Sequence, residues 1–142
     1  MKEGLAEFLI KVSKFKTEKE RIASLKKCNE ITDSYLLTAL RLMFDKEVAF
    51  DLPPGDPPYE PAPKESDLQG YLYSEFRRLR YFVKGQHPEI KPAKRESLFI
   101  EFLESMDPDD AKLLLAIKDK KSPNKGVTKN LVKKTFKEAK DW

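Results

Sequence analysis

The amino-acid sequence predicts an all-α protein that folds as a single compact domain of six to seven helices. Apolar residues recur at three- and four-residue spacing along most of the chain, and no segment sustains the alternation typical of a half-buried strand. A chain of 142 residues has room for one hydrophobic core. Residues 45–67 hold six of the ten prolines, which predicts an extended, proline-rich crossover between helical units at 1–44 and 68–142.

The N-terminal unit should contain three helices. The apolar face of the first helix consists of Leu5, Phe8, Leu9, Val12 and Phe15. Thr17 and Glu20 have the spacing of a capping box, so a second helix is expected to begin there. Thr32 or Asp33 can cap a third helix, because short polar side chains accept hydrogen bonds from the N–H groups of a first helical turn.

The crossover is acidic as well as rich in proline. Seven acids and two lysines give residues 45–67 a net charge of −5. The segment can be an ordered arm that packs on the domain through Phe50, Leu52 and Tyr59, which is the preferred interpretation. A flexible linker and a partner-binding segment are the alternatives.

The C-terminal unit should contain four helices. A long first helix is expected from about residue 66 to residue 83, with Gly85 in the position of a C-cap. A second helix should begin near Pro92. Asp107 and Pro108 combine an N-cap with a proline at the first helical position, so they predict the start of the third helix.

Composition excludes several classes of protein. The chain has 28 Lys+Arg and 24 Asp+Glu, a net charge of +4 and a pI near 9.0. A lone cysteine, Cys28, excludes a disulfide framework and a cysteine-based zinc site, and a lone His87 excludes a histidine cluster. No apolar run approaches the length of a membrane span, and charges near the start argue against a signal peptide. We therefore expect an intracellular protein that needs no metal or other cofactor, takes no small-molecule substrate and is not an enzyme.

A carboxylate interrupts the apolar stripe of the predicted long helix. At 100° per residue Glu75 projects from the middle of that stripe, and Arg78 stands three residues further on. Because an unpaired buried charge costs several kcal/mol, the sequence predicts that Glu75 and Arg78 form a buried ion pair. A ligand-contacting or catalytic carboxylate is the less favoured alternative.

The opposite face of the same helix combines aromatic and cationic residues. These residues are Tyr73, Arg77, Arg80, Tyr81 and Lys84. Tyrosine and arginine are enriched at protein interfaces, and they also stack on and pair with single-stranded nucleic acid. The stripe is therefore predicted to be an interface, although the tyrosines could instead pack under the proline-rich arm.

The last third of the chain is strongly basic. From residue 112 to 142 ten lysines and three acids give a net charge of +7. The lysines predicted to contact phosphate are Lys129, Lys133, Lys137 and Lys140 on one face of a last helix capped by Thr128, with Lys120, Lys121 and Lys125 in the preceding loop. Few side chains there could read base edges, so we expect no sequence-specific recognition. A solvated lysine face, or one that neutralises the acidic segment at 96–111, is the alternative.

Several short motifs carry a likeness to a known family. They are Leu72-Tyr73-Ser74-Glu75, Arg77-Arg78-Leu79, Lys94-Arg95-Glu96-Ser97-Leu98-Phe99-Ile100, Asp107-Pro108-Asp109-Asp110-Ala111 and Gly126-Val127-Thr128-Lys129. With them the chain resembles an uncharacterised family of small proteins from T-even-like tailed phages and cyanophages. The resemblance implies a phage accessory protein made in the cytoplasm of a bacterial host, and it assigns no catalytic residue.

These observations predict a protein that acts by binding. The first hypothesis is a non-enzymatic phage accessory protein that contacts nucleic acid, or a nucleoprotein complex, through its basic C-terminal surface. The second is an adaptor or inhibitor that docks on a host or phage protein through the tyrosine–arginine stripe and the acidic arm, for host takeover or counter-defence. No membrane partner is expected.

Overall fold

A computed structural model of the protein describes residues 4–62 and 72–142, apart from the side chains of residues 73 and 74. The α-helices are α1 (Leu5–Lys14), α2 (Glu18–Ile31), α3 (Tyr35–Phe44), α4 (Pro92–Glu104), α5 (Pro108–Lys118) and α6 (Lys129–Thr135). Two 3₁₀ helices span Leu72–Tyr81 and Lys137–Ala139. The described residues contain no strand beyond one isolated bridge between Phe50 and Val83, so the predicted all-α fold is confirmed.

Three of the predicted helix starts are formed by the expected caps. The Thr17 hydroxyl oxygen accepts a hydrogen bond from the N–H of Glu20 at 3.2 Å, at the start of α2. The Asp107 carboxylate accepts hydrogen bonds from the N–H groups of residues 109 and 110, and Pro108 occupies the first position of α5. The Thr128 hydroxyl accepts from Leu131 at 3.2 Å, at the start of α6.

The start of α3 lies one or two residues after the predicted cap, which was Thr32 or Asp33. Ser34, with φ of +68°, is its N-cap. Thr32 still serves the helix, because its hydroxyl oxygen accepts a hydrogen bond from the N–H of Leu36 at 3.2 Å. Asn29, from the last turns of α2, accepts from Leu37 at 2.9 Å. The end of α2 therefore supplies the acceptors that α3 lacks in its own sequence.

The predicted long α-helix at 66–83 is, in its described part, a 3₁₀ helix with a kink at Glu75. Its buried residues are Leu72, Phe76 and Leu79, followed by Phe82 just beyond it, and the last three recur every three positions. Since a 3₁₀ helix has three residues per turn, this spacing aligns them in one row that faces the core. The first residues of the predicted helix and the predicted unit boundary at 68 lie outside the described residues.

The central element of the core is α5. It contacts α1, α3, α4 and the first 3₁₀ helix. Its buried apolar side chains point in several directions around the helix and are Ala111, Leu113, Leu114, Leu115 and Ile117. A helix whose apolar residues cover most of its circumference packs against several elements at once, so the position of α5 determines where its neighbours lie.

The proline-rich arm is ordered over residues 45–62, which confirms the preferred interpretation for that part of the segment. Phe50 packs against Phe82 and Phe99, each with a ring-centroid distance of 6.4 Å. The N–H of Asp51 donates to the carbonyl of Phe82 at 2.7 Å. Backbone hydrogen bonds and aromatic packing together hold the start of the arm against the core.

The rest of the described arm is held by side chains of two helices. The ammonium of Lys118 donates to the carbonyl of Pro53 at 2.8 Å, and Asp119 accepts from the N–H of Gly55 at 3.3 Å. Further along, Glu104 accepts from the N–H of Glu60 at 2.9 Å. These bonds satisfy backbone groups of a segment whose prolines and extended shape exclude helical bonding.

One buried carboxyl joins three helix starts. Asp110, in the first turn of α5, is fully buried, and its Oδ1 accepts from the N–H of Ala6 in α1 at 3.0 Å. Its Oδ2 accepts from the N–H of Leu72, the first residue of the 3₁₀ helix, at 2.9 Å. A Cβ atom at Gly4 would lie only 2.7 Å from Oδ1, so a side chain at that position would collide with the carboxyl. Burial raises the pKa of Asp110 to about 6 because desolvation outweighs the two N–H donors.

A buried arginine fastens the segment that follows the first 3₁₀ helix. The guanidinium of Arg95, in α4, donates from Nε to the carbonyl of Tyr81 at 3.1 Å and from Nη2 to the carbonyl of His87 at 2.8 Å. Its Nη1 lies 3.4 Å from a carboxylate oxygen of Asp51 in the arm. Arg95 thus ties α4 to two segments that have few regular backbone bonds of their own.

We predict that Asp110→Ala lowers the free energy of unfolding by about 2 to 5 kcal/mol, since each buried N–H left without an acceptor costs about 1 to 3 kcal/mol. Chemical denaturation measures the change. Asp141→Ala, at an exposed carboxylate, is the matched control and should change stability by less than about 0.5 kcal/mol. Equal stability of the two variants would contradict the central role of Asp110.

We also predict that acid strengthens the contribution of Asp110. Its folded-state pKa of about 6 lies above the ordinary value of 3.8, so the folded protein binds this proton more tightly than the unfolded chain. The contribution is complete below about pH 4 and is lost as pH rises through about 6, an effect of at most about 3 kcal/mol. The free-energy difference between wild type and Asp110→Asn, measured across that range, should follow this course. A pH-independent difference would contradict it.

Candidate nucleic-acid interface

The loop between α5 and α6 packs closely on the N-terminal helices. A Cβ atom at Gly126 would lie 3.0 Å from the Cα of Ser13, at the end of α1, and 3.1 Å from the guanidinium carbon of Arg21, in α2. Arg21 in turn donates from Nε to the carbonyl of Phe15 at 2.8 Å. Three segments that are far apart in sequence therefore meet at Gly126.

This meeting point places N-terminal cations beside the C-terminal lysines. Lys14 and Lys16 flank Phe15, directly after Ser13, and Lys125 immediately precedes Gly126. Next to this point α6 packs on α2. We term the cations that these elements carry the basic corner, which consists of Lys14, Lys16, Arg21, Lys125, Lys129 and Lys133.

An ion pair fixes how α6 lies on α2 within the basic corner. Lys134 pairs with Glu18, the first residue of α2, with an N–O distance of 3.2 Å. The C-terminal half of α6 therefore lies over the start of α2, two residues beyond Lys16. Lys129 and Lys133 are four residues apart on α6 and share one helical face.

Lys120 does not belong to the surface that the sequence predicted. Its half-buried ammonium donates to the carbonyls of Leu42 at 2.9 Å and Asp45 at 2.6 Å, which are acceptors left open by the end of α3. Burial lowers the pKa of Lys120, an effect that Asp45 opposes and Lys129 reinforces. Lys120 is thus a cap for α3, and its partners stand more than seventy residues earlier in the chain.

The four lysines predicted on one long helix occupy two elements. The last α-helix ends at Thr135, and Phe136 is extended with φ of −121° and ψ of 123°. The Thr135 hydroxyl donates to the carbonyl of Leu131 at 2.7 Å, a local bond of the type that bends helices. Exposed Lys137 and Lys140 therefore follow in a separate short turn, and they do not extend the face of Lys129 and Lys133.

Lys121 faces acidic residues of the protein itself. It lines a shallow depression with Lys112, Asp56 and Asp119. Both acids lie outside residues 96–111, the acidic segment that the alternative named. Of the seven predicted phosphate contacts, the basic corner retains Lys125, Lys129 and Lys133.

The predicted buried ion pair lies at the surface. The Nη1 of Arg78 and the Oε2 of Glu75 are 4.0 Å apart, and the two side chains are 46% and 47% exposed. The kink at Glu75 and the 3₁₀ geometry turn this carboxylate away from the row of apolar residues. Arg78 instead stacks its guanidinium over the ring of Phe102, 5.1 Å from the centroid. A pair this exposed contributes about 1 kcal/mol or less.

The tyrosine–arginine stripe is retained only in part. Arg77, Arg80 and Lys84 are exposed, as predicted, while the side chain of Tyr73 lies outside the described atoms. Tyr81 is half-buried because its ring packs against His87 at a centroid distance of 4.9 Å. The cations of this stripe thus remain available, but its second tyrosine is part of the fold.

Sequence reasoning missed the N-terminal members of the basic corner. Lys14, Lys16 and Arg21 stand in a segment whose cations and acids are mixed, so its composition gives no charge signal. The useful signal was Gly126, since a glycine between a lysine-rich loop and a helix cap can mark a close approach of another backbone. Without the structure, that approach had no identifiable partner.

The described residues contain neither a cluster that could bind a metal ion nor a helix that could span a membrane. No group of three or more histidine, cysteine, aspartate or glutamate side chains in residues 4–62 and 72–142 is placed to hold a metal ion. None of the helices in that part of the chain is both long and apolar enough to cross a membrane.

The chain is similar in sequence to a known protein family. The sequence model of a family described as a family of unknown function (DUF6433) matches residues 8–124. No curated protein and no solved structure matches the chain. The matched region includes Lys14, Lys16 and Arg21 and ends just before Lys125 and α6.

We predict that Gly126→Val disrupts the contact that builds the basic corner. A branched side chain would be forced against the backbone at Ser13, and overpacking of this kind typically costs about 1 to 3 kcal/mol. Thermal unfolding should therefore occur at a lower temperature in this variant. Lys125→Val, at the exposed neighbouring residue, is the control and should leave the melting temperature nearly unchanged.

Proposed function

The chain belongs to the family of unknown function DUF6433, which supplies no activity, and from the structure we propose that it is a non-enzymatic accessory protein that binds nucleic acid through the basic corner. The observation that supports this proposal most is the close contact at Gly126. This contact brings together the cation-bearing segments of α1, α2 and the loop before α6, which are far apart in the sequence.

The composition of the basic corner favours phosphate contacts over base reading. Five of its six members are lysines, and a lysine ammonium binds phosphate as a point charge. Recognition of base edges uses arginine, asparagine or glutamine in a groove, and Arg21 is engaged with the carbonyl of Phe15. The expected binding is therefore independent of sequence and sensitive to salt.

A second candidate function is supported by the cations of the tyrosine–arginine stripe. Arg80 and Lys84 line a groove of about 550 Å³ between α3 and the first 3₁₀ helix. Its floor is formed by apolar side chains, among them Phe76 and Leu79. An apolar floor with a cationic rim suits docking on a host or phage protein, so an adaptor or inhibitor remains the alternative.

The cellular setting rests on the sequence resemblance. The resemblance to small proteins of T-even-like phages and cyanophages implies a protein made in the cytoplasm of a bacterial host, and this favours the host cytoplasm as the location. The absence of a membrane-spanning helix from the described residues is compatible with this setting. In that compartment an accessory protein of this charge would meet phage or host nucleic acid, or a nucleoprotein complex.

We predict that replacing Lys125, Lys129 and Lys133 by glutamine weakens binding to duplex DNA. Each phosphate contact contributes about 0.9 to the slope of log affinity against log salt, so the slope should fall by up to about 3. Fluorescence anisotropy over a salt series measures it. The matched control replaces three exposed lysines elsewhere by glutamine, Lys91, Lys94 and Lys112, and should leave the slope nearly unchanged.

Two outcomes would contradict the proposal. One is that the wild type binds neither duplex nor single-stranded nucleic acid at about 50 mM salt, where electrostatic binding is strong. The other is that both triple variants lose the same slope, since net charge and not the basic corner would then govern binding. In the first case the adaptor function becomes the better proposal.

A further inference from the structure

A groove with a volume of about 770 Å³ lies between α1 and α2. The two helices run in opposite directions, so the groove extends from Phe15 and Glu20 at one end to Phe8 and Ile31 at the other. Along α2 its lining residues recur at positions i, i+3, i+4, i+7, i+8 and i+11, and these are Glu20, Ala23, Ser24, Lys27, Cys28 and Ile31.

The groove combines exposed apolar ends with a narrow middle. Phe15 is 40% exposed and Ile31 is 59% exposed, although both are large apolar side chains. Between them α2 presents Ala23 and Ser24, whose small side chains allow another backbone to approach. An apolar face that no element of the described fold covers, with small residues at its centre, fits an added helix.

The charge of the groove is predominantly positive. Three lysines line it, Lys11 and Lys14 from α1 and Lys27 from α2, against a single lining acid. That acid, Glu20, accepts a hydrogen bond from the Thr17 hydroxyl at 2.7 Å and lies in the first turn of α2, where the helix dipole stabilises its negative charge. The field in the groove therefore favours an acidic occupant.

From this shape and charge we propose that the groove binds an acidic amphipathic helix of a partner protein. Apolar residues at positions i, i+3 or i+4, and i+7 of that helix would contact the surface between Phe15 and Ile31. Its acidic residues would pair with Lys14 and Lys27. Nucleic acid is a poorer occupant, because its phosphates would have to lie against exposed apolar side chains.

The length of the groove limits the length of its occupant. Four turns of helix cover the 14 residues of α2, which rise about 21 Å at 1.5 Å per residue. A helix of that length is marginal in isolation, so a partner segment would fold on binding or be held by its own domain. The inference does not depend on nucleic-acid binding, although Lys14 belongs to both surfaces.

The test uses the full chain and three stapled 14-residue peptides that present leucine, isoleucine or phenylalanine anchors at i, i+3 and i+7 with glutamate elsewhere. Stapling reduces the entropic cost of ordering the peptide. We expect at least one peptide to bind saturably, with an affinity that falls as salt increases. Ile31→Asp should weaken that binding at least tenfold. Ile10→Asp, the same change at a 37% exposed residue outside the groove, should weaken it less than twofold.

Several results would overturn the proposal. Failure of all three peptides to bind at about 50 mM salt is one, and equal binding of peptides with lysine in place of glutamate is another. Equal weakening by Ile31→Asp and Ile10→Asp would place the contact elsewhere. Concentration-dependent dimerisation that Ile31→Asp abolishes would assign the groove to a second copy of the chain. Because the peptides contain no phosphate, none of these results bears on the basic corner.

Discussion

The carboxyl of Asp110 is the interaction on which the arrangement of the helices depends. One side chain accepts hydrogen bonds from the starts of α1 and of the first 3₁₀ helix, and it does so from the first turn of α5. Neither N–H has another acceptor available within its own helix, because the first N–H groups of any helix lack partners there. Since α5 packs against α1, α3, α4 and the first 3₁₀ helix, fixing two helices to its start fixes them to the core.

Both candidate surfaces depend on the hydrogen bond between α1 and Asp110, because α1 contributes residues to each of them. The start of α1 is held by Asp110, and its end is held by the contact between Ser13 and Gly126. Between these two points α1 supplies Phe8 and Lys11 to the groove, and just beyond Ser13 it supplies Lys14 to the basic corner. A shift of α1 along its axis would separate the lysines of α1 from those of α6 and change the width of the groove. The functional surfaces are therefore consequences of how one short helix is anchored.

Local signals in the sequence predicted most of the fold but little of the site. Caps such as Thr17 and Thr128 act over three residues, so their spacing alone identifies helix starts. The 3₁₀ helix was not identifiable in this way, because apolar residues three apart suit both kinds of helix. The role of Lys120 was not predictable for a different reason. Its acceptors, the carbonyls of Leu42 and Asp45, become its neighbours only in the folded chain. Long-range contacts of this kind have no periodicity in the sequence.

The cations of the chain have two different roles, and the composition does not distinguish them. The ammonium groups of Lys118 and Lys120 donate hydrogen bonds to backbone carbonyls. Some of the excess positive charge in the last third of the chain therefore stabilises the arm and α3. The remaining cations reach the surface, where Lys14 stands between the basic corner and the groove. If both surfaces bind their proposed ligands, a carboxylate and a phosphate compete for that one ammonium. Occupation of either surface would then weaken the other, and by linkage the effect would be reciprocal.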